Sequence, residues 1–428
     1  MKTLISPVQS IPVSTFHDVA KRIPDSPYDR LPKYAADTFR KIKRGDRNAP
    51  GIMIDVHAHA FTYRNIPEDF LKYRRWLSRT LRKAAGRLFK PSFMRAFEAD
   101  TPANVVKGLL KKYFDSPYHN FAIKDTFIVL LMMDMERGIR GAIEEPFPDQ
   151  VRQVCKLVSD FKFAYDGKTF DGNKHLIPFL AIDPHNPDAF KYFLSAFIKD
   201  VNLTEVRELN GVAPFCGVKV YPALGYVPYH PTLLEVFKVC EAKGIPVVSH
   251  TGGHRTHASY DAIEVLYRSK QDGVDIDKRK TISLRGMNKS HFSRFFLHPH
   301  HWKHVLDRYP NLRLNLAHFG SNADWYRYRN GNNSMVHRTK DIIRGYKSVY
   351  ADLSYSFYHK VNIRKMREMM ATDRDVRDKI LYGSDYYLCD IEHQSVSDFY
   401  NNVNEIITDS QHQRQLFYAN AIDFLVGK

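Results

Sequence analysis

Cysteine is scarce in this chain. Cys155, Cys216, Cys240 and Cys389 are the whole complement in 428 residues, and none lies near another in sequence. That excludes a CxxC metal knuckle, a CxxC redox pair and a disulfide-stapled scaffold. Long hydrophobic runs are also missing. The longest, Phe127 to Met133, is far shorter than the roughly 20 residues that span a bilayer. The opening MKTLISPVQSIPVSTF has one lysine and is interrupted by Pro7 and Pro12, so it reads as a poor secretory signal. A reducing cytoplasm is the expected location. Acidic residues are outnumbered: Lys+Arg 64 against Asp+Glu 47 gives a net charge of +17. Such a balance invites a nucleic acid, an anionic membrane surface or an acidic substrate.

What remains is ordinary globular composition, 43% hydrophobic and 26% charged, which excludes a wholly disordered or collagen-like chain. Residues 1–50 hold proline, serine and charge with little periodicity and read as an N-terminal extension. Eight short apolar runs follow: Gly51–Val56, Thr126–Met133, Leu176–Ile182, Gly217–Tyr221, Ile245–Ser249, Leu312–Ala317, Ser348–Leu353 and Lys379–Gly383. Runs of this length suit strands buried on both faces. Helical patterns such as Thr232–Ala242 and Val396–Ile407 lie between them. Eight such strands alternating with helices predict a (β/α)8 TIM barrel over 51–428. Two connections are long, at about 60–125 after the first strand and 251–311 after the fifth. In the first, Phe70, Tyr73, Leu77, Leu81, Ala84 and Leu88 recur at helical spacing. Nine basic residues and no acid fall between Lys72 and Arg95.

The first strand runs into Asp55-Val56-His57-Ala58-His59. Alternate residues of an extended segment share a side, so His57 and His59 point together at the C-terminal mouth, where barrel active sites sit. Alone, HxH is weak evidence for a metal. Three other strand ends add to it: His250 after Val247-Val248-Ser249, His318 after Leu316-Ala317, and Asp385 after Gly383-Ser384. A barrel converges these ends. Three histidines with an aspartate and a further histidine suit Zn²⁺ or a similar ion.

The ordered set IDVHAHAF, IPFLAIDPHNP, GVKVYPALGYVPYHP, VVSHTGG, NLRLNLAHFG, VYADLSY, KILYGSDYYL and FYANAIDFLVG resembles the amidohydrolase superfamily, in its amidohydrolase-related branch of hydrolases, lactonases and non-oxidative decarboxylases. The resemblance implies that His57, His59, His250 and Asp385 are metal ligands. It implies that His318 is an acid/base, an oxyanion stabiliser or a ligand of a second metal. The expected cofactor is one divalent ion, Zn ahead of Mn or Fe. The expected activity is hydrolysis of a small amide, lactone or ester through metal-activated water. Decarboxylation of an aromatic or muconate-like acid is the alternative on the same site.

Lys219, on the fourth strand, is a third catalytic candidate beside Asp385 and His318. In some branches a lysine here is carbamylated and bridges two metals. The favoured reading is an unmodified Lys219 pairing Asp385 or a substrate carboxylate. With Arg255 nearby in the loops, the expected partner is a small, anionic substrate, and a homo-oligomer stays open. A nucleic-acid partner is not favoured. TatD-type nucleases also use HxH but are expected to have an acidic strand-four ligand, and no aromatic-basic platform is present. A structural metal with no enzymatic role is a further reading. Asp134 and Asp183 read as helix caps, Tyr221 as packing or cavity wall, and His254 and His257 as surface residues. His298, His300, His301 and His304 also read as surface positions, in or before the helix ahead of the sixth strand.

Overall fold

A computed structural model describes residues 3–4, 11–47, 50–67, 101–119, 123–198, 215–252, 260–320, 322–326, 328, 334–386, 389 and 395–428. The eight expected strands are all present. They are β1 (Ile52–Ala58), β2 (Asp125–Leu131), β3 (Leu176–Ala181), β4 (Gly217–Val220), β5 (Val247–Ser249), β6 (Leu314–Leu316), β7 (Val349–Asp352) and β8 (Ile380–Leu381). They hydrogen-bond in chain order as one parallel sheet. The sheet closes on itself. Ala58 bridges Tyr386 in parallel, the Val56 amide donates to the Tyr382 carbonyl at 3.0 Å, and the His59 amide donates to the Tyr386 carbonyl at 2.8 Å. The fold is therefore the TIM barrel expected from the strand pattern.

Burial explains the apolar runs. Alternate residues such as Ile52, Ile54, Val56, Phe127, Val129, Ile177, Phe179 and Leu381 form one cluster with Phe39 and Phe424. The intervening residues, Met53, Ile128, Leu130 and Leu180 among them, join a second cluster with the helices. The first cluster fills the barrel. Helices Lys33–Lys43 and Asn420–Val426 add to it from outside the sheet. The N-terminal extension is thus a structural part of the barrel: Arg30 is buried and donates to the Lys243 and Gly244 carbonyls at 2.8 and 2.7 Å.

Some elements among the described residues were not expected, a short hairpin of Lys162–Tyr165 with Lys168–Asp171 among them. A hairpin, Ala262–Gln271 with Val274–Ser283, occupies the connection after β5. Its turn is Asp272-Gly273, both with positive φ (50° and 82°), as a two-residue primed turn requires. Thr3 and Leu4 pair in parallel with its first strand. The helix expected over 70–88 lies outside the described residues, as do His254, Arg255 and His257.

Candidate metal centre

The mouth of the barrel collects the residues singled out at the strand ends. Ligand atoms of His57, His318 and Asp385 lie within 4.8 Å of one another, all buried. Nε2 of His59 stands 3.3 Å from Asp385 Oδ1, and Nε2 of His57 stands 3.6 Å from it. His250 Nδ1 lies 2.9 Å from His318 Nε2. All five expected residues are therefore in one cluster, with His318 inside the tightest triplet. Local backbone irregularity aims them. The β1–β2 register runs Asp55↔Ile128 and then Ala58↔Leu130, so β1 carries an extra residue just where the HxH begins. Bulges of this kind re-aim side chains beside active sites. His318 and Asp385 both have left-handed backbones, φ 71° and 51°. Neither is glycine, and the geometry is held because the His318 amide donates to Asp352 and the Asp385 amide to the His57 carbonyl, at 3.0 and 2.7 Å.

The protonation states follow from the partners. His59 Nδ1 faces the Leu131 carbonyl at 2.9 Å. A carbonyl only accepts, so Nδ1 carries the proton and Nε2 offers a lone pair. His57 Nδ1 faces the Asp352 carboxylate at 3.0 Å, which again leaves Nε2 with a lone pair. His318 Nδ1 faces the Ser354 carbonyl at 3.2 Å, so its Nε2 accepts from His250 Nδ1. Burial, reinforced by Lys219, pulls His57 below its usual range, and burial pulls His318 down to about 4. Burial pushes Asp385 up, but His59, His57 and His318 outweigh it and keep the carboxyl well below the usual range. The Nε2 atoms of His57 and His59 thus converge on a carboxylate oxygen, Oδ1 of Asp385, that is buried and has no well-formed hydrogen bond among the described residues. Acceptors facing acceptors in a dry pocket repel unless a cation lies between them. This donor set suits a divalent ion.

Two buried carboxylates escaped the reading of the sequence. Asp352, at the end of β7, binds His57 Nδ1, the His318 amide, Asn315 Nδ2 at 2.8 Å and the Ser354 hydroxyl. Burial opposes its charge, yet His57 and His318 hold it far below the ordinary carboxylate range. It orients two of the clustered imidazoles at once. Asp55, two residues before His57, accepts from the Ser384 amide, the Ser384 hydroxyl, the Tyr113 hydroxyl and the His57 amide at 3.0, 2.6, 2.7 and 3.0 Å. Burial still pushes it up to about 6. Asp55 ties β1 to the loop after β8. An aspartate inside a fully apolar run was the available signal for both.

Lys219 is 1% exposed, and its Nζ has no hydrogen-bond partner among the described residues. The expected ion pair with Asp385 is not formed. Burial pulls the amine down to about 8, and Asp352 and Asp385 oppose this only through their fields. Asp134 and Asp183 are not helix caps. Asp134 accepts from the Glu136 amide (3.3 Å) and Asn186 (3.0 Å). Asp183 accepts from the His185 amide at 2.9 Å. Both are buried, and burial together with the neighbouring Asp183 pushes Asp134 up to about 8. Tyr221 packs its ring edge-on to His250, with centroids 4.7 Å apart.

Fold and site define a TIM barrel with a buried His/Asp cluster at its mouth, and comparison with known proteins gives the family. The profile of the amidohydrolase family matches residues 176–426, so the chain belongs to that family. Among solved structures it is similar to 5-carboxyvanillate decarboxylase from Novosphingobium aromaticivorans, determined with manganese (13% identity, 89% of this chain and 97% of that one, TM-score 0.48). It is also similar to an amidohydrolase from Mycobacterium avium subsp. paratuberculosis (13%, 87% and 99%, TM-score 0.38). A third similarity is to dihydroorotase from Saccharomyces cerevisiae (12%, 88% and 84%, TM-score 0.40). No curated protein matches the sequence. Among the described residues no helix is long and apolar enough to cross a membrane.

Proposed function

We propose that the protein is a metal-dependent hydrolase of a small carbonyl compound, an amide, lactone or ester, with one divalent ion held by His57, His59 and Asp385 together with His250 or His318. The observation that carries this reading is the meeting of the His57 and His59 lone pairs with Asp385 Oδ1. A bound Zn²⁺, Mn²⁺ or Fe²⁺ would polarise the substrate carbonyl and lower the pKa of water at the mouth. Asp385, ionised at neutral pH, accepts the proton of the attacking water and returns it to the leaving group. The His250–His318 pair adjoins the cluster, linked Nδ1 to Nε2 at 2.9 Å, and a proton taken up by the pair would be donated to the oxygen that gains charge. Asp352 fixes the tautomer of His57 and the backbone of His318 throughout.

Lys219 favours substrates that carry a carboxylate. A buried ammonium without a partner is rare, and an anionic group on the substrate would complete it. The same feature supports the second reading, decarboxylation of an aromatic or muconate-like acid, in which the site protonates carbon after CO₂ leaves. Metal analysis of purified protein tests the shared premise. The expected result is close to one Zn, Mn or Fe per chain, lost together with activity on chelation. Protein that binds none of these ions refutes both readings. Product analysis separates them, since hydrolysis releases a new acid group and decarboxylation releases CO₂.

A further inference from the structure

The histidine-rich stretch before β6 is not absorbed by the metal centre. His298, His300 and His301 line a cleft of about 520 Å³ with Arg294 and Arg338. That volume lies in the ordinary range for small-ligand sites. All five lining side chains are arginine or histidine. Two guanidinium groups in one cleft repel a cation, and the only grouping of possible metal ligands among the described residues is the one at the barrel mouth. A second metal does not suit this place; an anion does.

The cleft sits at the rim of the mouth. Leu297, just before His298, accepts through its carbonyl from the Gly252 amide at 3.3 Å, two residues beyond His250. Arg338 lies in the first turns of helix Met335–Gly345, in the connection that follows His318. The neighbouring groups are accounted for. His298 is pulled down to about 4 by burial, then by His300, Arg338 and Arg294, with Asp324 opposing. His301 is likewise pulled down to about 4 by burial and by His298 and His304. Arg338 has Asp341 at 3.9 Å, a distant pair at best. His298 Nδ1 accepts from the His300 amide at 3.2 Å, so its proton sits on Nε2, available as a donor. His301 Nε2 is buried with no hydrogen-bond partner among the described residues, and the backbone of Arg294 and Phe295 takes the hydrogen bond of the other ring nitrogen.

Gathering like charges and unpaired donors in a cleft costs folding stability, and such local violations are expected where a ligand repays them. We propose that this cleft binds a phosphate-class tetrahedral oxyanion, as inorganic phosphate or as the phosphoryl group of a small organic ligand. Arginine forks match phosphate oxygens in pairs, and two forks with the His298 Nε2–H supply more donors than a single carboxylate can take up. The proposal does not depend on the metal centre, and its test is read on metal-loaded and metal-free protein alike.

The experiment is calorimetric titration of the full chain with inorganic phosphate, with a small phosphate monoester and with malonate, at ionic strength held constant with chloride. Saturable binding of one phosphate or monoester per chain is expected, tighter than malonate. In the R294A/R338A variant it weakens at least tenfold while metal content stays unchanged. The R294K/R338K variant, which keeps the charge and loses the fork, lies between the two. Equal phosphate affinity in wild type and R294A/R338A overturns the proposal, and so does failure of phosphate to compete over chloride. Tighter binding of a ten-nucleotide single-stranded DNA than of the monoester, with a steep salt slope, also overturns it, in favour of a nucleic-acid surface. If R294A/R338A fails to fold, the lysine variant decides alone: affinity equal to wild type rejects the site.

Discussion

Asp352 Oδ2 lies 3.0 Å from His57 Nδ1 although the two residues stand 295 positions apart in the chain. That contact decides which nitrogen of His57 faces Asp385. In D352N the new amide can present a donor to Nδ1, which turns the ring to the other tautomer and puts a proton where the ion would sit. Metal affinity should fall by about 10–100-fold, the usual cost of losing such an outer partner. Competition against a fluorescent chelator measures it. Wild-type affinity in D352N would mean that the tautomer argument is wrong.

Gly383 has no room for a side chain. A Cβ built there would lie 2.8 Å from the Cβ of His57 and 3.5 Å from that of Asp352. Since β1 and β8 close the barrel at this point, G383A must push the strand carrying His57 away. We expect a loss of stability of about 1–3 kcal/mol and sub-stoichiometric metal after purification. A variant that melts with wild type and carries a full complement of metal contradicts this.

Lys219 should destabilise the fold it belongs to. Its amine is pulled from 10.5 to about 8 by burial. At neutral pH the charged form is penalised, by up to about 3 kcal/mol if the shift is fully expressed. The penalty shrinks as pH rises from about 8 through 10.5, where the unfolded state also gives up its proton. Metal-free K219M should therefore melt higher than metal-free wild type at pH 7, with the gap narrowing above pH 8, and metal-loaded K219M should lose turnover. Thermal melts across pH check the first part. A K219M protein less stable at pH 7 would point to a partner for the amine.

Asp134 makes an opposite test. Its folded pKa is raised, so between about 4 and 8 the native state binds more protons than the unfolded state, and stability falls as pH rises through that window. D134N removes the titration. Its melting temperature relative to wild type should be higher at pH 8 than at pH 5. A difference independent of pH would show that Asp183 does not keep the proton on its neighbour.

Much of this was legible in the amino-acid order because strands buried on both faces read as unbroken apolar runs, and each run here ends where its side chain of interest begins. His57, His59, His250, His318 and Asp385 stood out for that reason. Asp55 and Asp352 did not, because their work is done inside the runs. Their partners, Ser384 and His57 among them, are hundreds of residues away, and no local spacing encodes that. The extra residue in β1 was equally hidden, since an alternating HxH looks the same with or without it. The hairpin at 262–283 is a different case: Asp272-Gly273 between β-branched and charged residues is a readable turn signal, but it lies inside a connection where a βα barrel calls for a helix. Asp134 and Asp183 follow strands as caps do, but each turns one oxygen to a loop amide two residues on, and Asp134 turns the other to the Asn186 side chain, which no local spacing encodes.

The seam where the first and last strands meet has a temporal consequence. His57 and His59 leave the ribosome early, but Asp385 and the Tyr386 carbonyl that binds the His59 amide arrive more than three hundred residues later. A nascent chain paused before that point lacks the Asp385 carboxylate and has an open sheet edge at its first strand. On this architecture the proposed ion site is completed only with the final strand, and a chain terminated ahead of it is expected to bind the ion more weakly.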